Sequence, residues 1–264
     1  MNDNTQNDYQ PEPYWSDVAK RIAAREGRNL IAGDDEPYYR YKRARFLEML
    51  ATVDVAGKRV LEVGPGPGGN LFELAKRQPA ELHGVDISSD MIRLATETTR
   101  GLGVHLHKTD GGSLPFEGGY FDVVFSATVL QHNTDDDMMR GMLAEMCRVS
   151  RSQVVLFEKV DARIKGDELC MARPVSYYSD IAYTHGYRLA AVEHINIKAS
   201  YLVSGAARKL LNARSRKEGE PLSAISLLAQ RISLPITRLI DPYWDSETDV
   251  AKMVFERRSD ASPT

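Results

Sequence analysis

Cysteine is nearly absent: the chain of 264 residues holds two, Cys147 and Cys170. Their spacing suits neither a disulfide framework nor a metal module, which excludes both as fold-forming devices. They are expected to be reduced thiols that pack as small hydrophobes in a cytoplasmic protein. Long apolar runs are missing too, and no stretch approaches the roughly 18 residues that span a bilayer. A charge bias is also lacking. Lys and Arg number 34 against 37 Asp and Glu, a net of −3, so the chain as a whole is not drawn to nucleic acid. The opening Met1-Asn-Asp-Asn-Thr-Gln-Asn-Asp has neither the basic nor the apolar region of a secretory leader. The acidic triplet Asp135-Asp136-Asp137 has no second ligand cluster beside it. A helix N-terminus explains it better than a cation, so no metal is expected.

What is present is an alternation of strand and helix patterns. Residues 1–13 are expected to be a disordered tail, polar and closed by Pro11 and Pro13. Residues 14–58 form an N-terminal helical segment, with helices expected over 14–28 and 38–50, the second opened by Pro37. From 59 to 197, strands are expected at 59–63, 81–86, 103–107, 121–127, 152–158 and 187–196. Helices are expected at 70–77, 89–100, 135–149 (with Thr134 as N-cap) and 177–184. Such an order predicts an α/β fold with a doubly wound, mostly parallel sheet. Residues 198–248 are read as a helical insertion, with helices near 200–213 and 222–234 broken at 219–221 and at Pro235. Residues 249–264 supply a final strand and a tail, the strand pairing antiparallel with its predecessor.

The richest stretch is Arg59-Val-Leu-Glu-Val-Gly-Pro-Gly-Pro-Gly-Gly-Asn70, a strand running into a glycine loop and then a helix. Gly64, Gly66 and Gly69 satisfy G-x-G-x-x-G, which alone suits a dinucleotide. Glu62, two residues before the first glycine, would repel a pyrophosphate and suits a ligand with an ammonium group. Asp86 ends the next strand, where a carboxylate accepts ribose hydroxyls. Asp110 follows the third strand, placed for an adenine amino group.

Together the pieces Val60-Leu-Glu-Val-Gly-Pro-Gly-Pro-Gly, Gly84-Val-Asp-Ile-Ser-Ser-Asp-Met, Lys108-Thr-Asp-Gly-Gly-Ser-Leu-Pro-Phe, Tyr120-Phe-Asp-Val-Val-Phe-Ser and Val129-Leu-Gln-His resemble class I S-adenosylmethionine-dependent methyltransferases. The likeness is to their small-molecule branch, such as the ubiquinone- and menaquinone-type enzymes, and covers roughly residues 40–197 and the last strand. The resemblance implies a Rossmann-like, seven-stranded sheet with S-adenosyl-L-methionine as cofactor. It also implies roles. Glu62 organises the loop and the methionine ammonium, and Gly64, Pro65 and Gly66 line the methionine and ribose. Asp86 holds the ribose, Ile87 and Met91 cover the adenine, Asp110 and Gly111 read its edge, and Thr128 lies under the sulfonium. Arg43 fits the arginine that takes the cofactor carboxylate in the ubiquinone-type enzymes, with Arg40 as rival. Tyr39 either lines the site or packs its helix.

Methyl transfer from a sulfonium needs alignment and exclusion of water, and an oxygen acceptor of high pKa also needs a base. His132 is a candidate base or substrate contact, and Glu158 a second candidate. The competing reading of His132 is a loop residue that holds backbone in place. The insertion carries eight Lys or Arg over 198–243 (Lys198, Arg208, Lys209, Arg214, Arg216, Lys217, Arg231, Arg238) against Glu218, Glu220 and Asp241, a local +5. Leu222, Ile225, Leu228 and Ile232 form one helical stripe within it. That pattern suits a lid over an anionic small molecule or sugar, contact with a membrane that carries a lipid-linked acceptor, or a helical cap packed on the domain. The expected activity is methylation of an oxygen or nitrogen. The rivals are an NAD(P)-dependent reductase and a non-catalytic S-adenosylmethionine-binding regulator or partner subunit.

Overall fold

A computed structural model describes residues 10–24, 36–216 and 220–259. Among them, a seven-stranded sheet runs β3 (Val104–Lys108), β2 (Glu81–Asp86), β1 (Arg59–Val63), β4 (Phe121–Ala127), β5 (Ser150–Val160), β9 (Asp249–Arg257) and β8 (Tyr187–His194). The pairs from β3 to β5 are parallel, while β9 runs antiparallel to both β5 and β8. The chain starts at β1, moves outward to β2 and β3, then returns to place β4 on the other side of β1. Connections therefore diverge at the carboxyl ends of β1 and β4, and a crevice opens at such a switch point.

The inner strands read as near-continuous apolar runs because both faces of the sheet are covered. On one face α5 (Asp136–Val149) and α6 (Val175–Thr184) bury Met139, Leu143, Met146 and Tyr178. On the other, α2 (Pro37–Ala51) and α3 (Gly69–Ala75) bury Phe46, Met49, Leu50, Leu71 and Leu74 against Val60, Val123 and Phe157. Further out, α1 (Pro11–Ala23) packs Val18, Ala19 and Ile22 on Met91 and Leu94 of α4 (Ser89–Thr98). Two helices, α7 (Lys198–Leu211) and α8 (Ala224–Ile240), form a hairpin between β8 and β9. No helix among the described residues is long and apolar enough to cross a membrane.

Several expectations shift. Helix α1 begins at Pro11 rather than residue 14, since proline's fixed φ and missing N–H cost nothing in a first turn. It ends at Ala23, and the expected stretch 25–28 lies outside the described residues, as do 1–9 of the expected tail. The N-cap of α5 is Asp135, whose side chain accepts from the Met138 amide. Thr134 instead donates its hydroxyl to the Glu168 carbonyl. Pro235 does not break α8, which continues to Ile240. The carbonyl that proline leaves without its helical donor belongs to exposed Arg231, where water can reach it. A short hairpin of β6 (Lys165–Gly166) and β7 (Met171–Ala172) after β5 has no clear signal in the sequence.

Phe157 is fully buried in β5, with its ring 4.9 Å from Phe46 of α2, edge to face, so it ties α2 to the sheet. Phe157→Ala should lower unfolding free energy by about 3–5 kcal/mol. A loss below about 1 kcal/mol in urea denaturation would mean that this contact is dispensable.

Candidate functional site

A cavity of about 1100 Å³ opens at the carboxyl ends of β1, β2 and β4. Its rear wall is the glycine loop. Gly64 turns with φ +69°, and a Cβ there would lie 2.5 Å from Val129 Cγ2, so both conformation and space require glycine. Gly68, with φ +87°, is the N-cap of α3, and a Cβ on it would press on the Ala95 backbone at 3.0 Å.

Glu62 is fully buried beneath this loop. Its Oε1 accepts from Asn70 Nδ2 at 2.6 Å, while Oε2 has no partner among the described residues. Asn70 Oδ1 in turn accepts from Arg43, so a relay Arg43–Asn70–Glu62 joins α2, α3 and β1. Burial pushes the Glu62 carboxyl up to about 8, opposed by Asn70 and the Arg43 charge. Arg43 lines the cavity and stacks over Phe46, whereas its rival Arg40 is exposed and lies off the cavity wall. Tyr39 also lines it, with the Arg208 guanidinium 5.0 Å over its ring and donating to its hydroxyl at 3.2 Å.

Asp86 lines the next part of the wall. The Ser88 amide donates to its Oδ1 at 2.9 Å and the Gly66 amide to Oδ2 at 3.2 Å. Burial raises this carboxyl to about 6. Beside it Ile87, Met91 and Gly111 make a flat apolar slot, in which a Cβ on Gly111 would touch Ile87 Cδ1 at 3.0 Å. Helix α1 closes this side with Pro11 and Trp15. Asp110 departs from its expected place. Its carboxylate is exposed, lies off the cavity wall, and is held by the Gly112 and Ser113 amides in its own turn, which lower its pKa.

At the end of β4, Thr128 lines the cavity with φ +58°, costly for a β-branched residue. The following turn is gripped from two sides. Glu158 is fully buried and accepts from Ser126 Oγ (2.8 Å), the Val129 amide (3.1 Å) and the Gln131 amide (3.1 Å). Arg173, also buried, donates to the carbonyls of Leu130 (3.2 Å) and Asn133 (2.8 Å). Glu158 therefore lies behind the wall as a backbone clamp, away from where an acceptor would sit, unlike its expected part as a base.

His132, by contrast, lines the cavity. Its Nδ1 lies 2.7 Å from the Leu169 carbonyl, which can only accept, so Nδ1 carries the proton. The bare Nε2 stands 3.2 Å from the Gln131 amide, whose oxygen is turned away to the Lys159 N–H. Trp15 packs edge-on to the imidazole at 5.0 Å, and burial lowers its pKa, so the ring is neutral near pH 7. No cluster of three potential metal ligands occurs among the described residues.

Residues 60–153 match the methyltransferase domain family. This stretch is a class I methyltransferase domain. The chain is 38% identical across 88 residues to the fatty-acid O-methyltransferase of Mycolicibacterium smegmatis, covering 33% of this chain and 32% of that protein. It is 35% identical across 100 residues to the phthiotriol/phenolphthiotriol dimycocerosates methyltransferase of Mycobacterium tuberculosis, covering 38% and 36%. The match thus spans about a third of the length of each relative. The whole fold is similar to the cyclase SpnF (TM-score 0.60, 18% identity, 93% of this chain and 92% of that one). It is also similar to magnesium protoporphyrin IX methyltransferase from Synechocystis PCC 6803 with bound SAM (TM-score 0.59, 14% identity, 97% and 100%). The methyltransferase domain holds the glycine loop, Asp86, Thr128 and His132, while Arg43, Tyr39, Trp15 and the α7–α8 hairpin complete the cavity from outside it.

Asn70, Gln131, Trp15 and Arg173 were not foreseen. Asn70 had a signal, a polar residue at the first turn after the glycines and eight residues from Glu62; Arg173 had none. Glu158→Gln should cost about 1–3 kcal/mol and speed amide exchange at Val129 and Gln131. Unchanged protection of those two amides would rule out the clamp.

Proposed function

We propose that the chain binds S-adenosyl-L-methionine in this cavity and transfers its methyl group to an oxygen or nitrogen of a small-molecule or lipid-linked acceptor. The observation that carries this is Glu62, a buried carboxylate with one unpartnered oxygen directly under a glycine loop. An ammonium group at the loop would give that oxygen its donor. A pyrophosphate there would face the buried Asp86 carboxylate and would bring the free Glu62 oxygen no donor.

The cofactor would supply an electrophilic methyl on a cationic sulfonium. Arg43 would meet its carboxylate, Asp86 its ribose hydroxyls, and the slot of Ile87, Met91 and Gly111 its adenine. Trp15 and Pro11 keep water from that slot. Thr128 and the turn held by Glu158 and Arg173 fix the wall beside the reacting centre. His132, neutral and with its proton on Nδ1, has its Nε2 lone pair for an acceptor proton. That lone pair is already met by Gln131, which favours a second reading in which His132 only orders the turn.

The cavity reaches from the glycine loop to α7 and the segment after it, where Lys209 and Arg214 stand near Leu210 and Leu222. Such a wall suits an acceptor with an anionic group and an apolar part. The two curated relatives are named for fatty-acid and dimycocerosate chemistry, which agrees with a lipid-like acceptor.

Calorimetric titration tests the cofactor: S-adenosylhomocysteine should bind, and Asp86→Ala should weaken it by about 10- to 100-fold, the loss of a charge-assisted hydrogen-bonded pair. Tight NADPH binding without S-adenosylhomocysteine binding would overturn the proposal. The raised Glu62 carboxyl adds a pH dependence. Below about pH 8 the empty site holds it protonated, and an ammonium favours the carboxylate, so binding expels a proton. Affinity should rise with pH towards about 8 and level off above, with close to one proton released per ligand near pH 7. Absence of proton release would detach Glu62 from the ligand. With an acceptor in hand, His132→Asn should lower kcat by about 10²- to 10⁴-fold if it is the base, and unchanged kcat would leave it an ordering role.

A further inference from the structure

The α7–α8 hairpin is built inside out. In α8 the residues turned to the protein are Ser226, Gln230, Leu234 and Thr237, three of them polar and hydrogen-bonded: Ser226 to Asn212, Gln230 to Glu36 and the Tyr38 amide, Thr237 to Ser200. The opposite face carries Ile225, Leu228, Ile232, Ile236 and Leu239, between 57% and 74% exposed. These five recur at steps of three and four, one continuous helical stripe. The partner helix does the same, burying Ala199, Ser200 and Ser204 and exposing Leu202, Val203 and Leu210. A helix on a water-facing surface has the reverse pattern, and a contiguous apolar patch of this extent marks an interaction surface.

We infer that this face docks on an anionic lipid bilayer, with the α8 stripe entering the headgroup boundary. Three observations select a bilayer. Arg231 and Arg238, exposed and two turns apart, run along one border of the stripe, where phosphate headgroups would lie. Tyr243 (90% exposed) and Trp244 (44%) follow the helix end, the aromatic pair that favours a membrane interface. The segment 198–243 is net +5 in a chain of net −3, so a second copy seated face to face would set like charge against like, while an anionic surface would complement it. The seat also leads somewhere. Leu210, 78% exposed on this surface, lines the cavity together with Arg214 and Leu222, so the cavity mouth opens beside the docked face.

The test is flotation of the full chain with phosphatidylcholine vesicles and with vesicles holding roughly one-third phosphatidylglycerol. The chain should float with the anionic vesicles and lose binding in high salt. The double variant Ile232→Ser, Ile236→Ser should partition at least about tenfold less, and Arg231→Gln or Arg238→Gln about fivefold less each. None of these residues lines the cavity, so S-adenosylhomocysteine titration of the same variants reports folding. That titration can fail for every protein while flotation succeeds, which separates this inference from the proposed activity. As a second measurement, a Trp15→Phe background leaves Trp244 as the sole tryptophan, and brominated lipid should quench it. Failure of the unaltered chain to float with anionic vesicles, equal flotation of the serine variant, unquenched Trp244, or a solution dimer that the serine variant dissolves would each overturn the inference.

Discussion

Desolvation of carboxylates governs the active edge of this sheet. Glu62, Asp86 and Glu158 stand at or near the carboxyl ends of β1, β2 and β5, each stripped of water by the strands and helices that cover both faces. A buried carboxylate must be hydrogen-bonded or neutral. The three meet that demand differently, and the difference assigns their work. Glu158 is supplied by backbone amides and a serine, so its charge shapes a turn. Asp86 takes one amide from its own turn and one from the glycine loop, and still faces the cavity. Glu62 has one donor, Asn70, and an oxygen left over. Incomplete satisfaction at Glu62 is the opening on which the proposed ligand rests, as completeness at Glu158 marks scaffold.

The remaining architecture supports that edge. The topological switch between β1 and β4 brings the glycine loop and Thr128 to one crevice. The clamp of Glu158 and Arg173 holds the second wall in a conformation the backbone would not adopt alone. Helices α1 and α2, which lie outside the methyltransferase domain, contribute Trp15, Tyr39 and Arg43. The domain alone therefore gives half of the cavity, and the segments before and after it give the rest. The similarity to a cyclase of the same fold is a reminder that this scaffold serves more than one chemistry, so activity is argued from the side chains.

Much of this was legible in the residues. The glycine loop, Asp86 and the alternation of elements are local patterns with fixed spacing, and they predicted the sheet, its antiparallel end and the crevice. That Arg43 and not Arg40 lines the cavity follows from the helix's rotation on the sheet, which spacing does not give. Asp110 was misplaced because its own turn captures the carboxylate, a competition that spacing does not reveal. Glu158 read as reactive because strand ends face the crevice, yet burial turned it inward. Pro235 read as a break because sequence alone does not say which carbonyl reaches water. The stripe at Ile225, Leu228 and Ile232 was seen, but periodicity identifies a face without saying which way it points.

The inverted seat of α8 has a consequence for motion. A helix held by buried apolar contact cannot leave without exposing core, whereas the hairpin meets α2 and the residue before it largely through hydrogen bonds: Gln230 donates to Glu36 and accepts from the Tyr38 amide, and Asp241 accepts from the Tyr41 hydroxyl. Water replaces such bonds at small net cost. The hairpin is thus the element whose departure asks least of the rest of the fold, and its local opening can occur far below the free energy of global unfolding. The wall that α7 gives the cavity is then also the part of it most free to move.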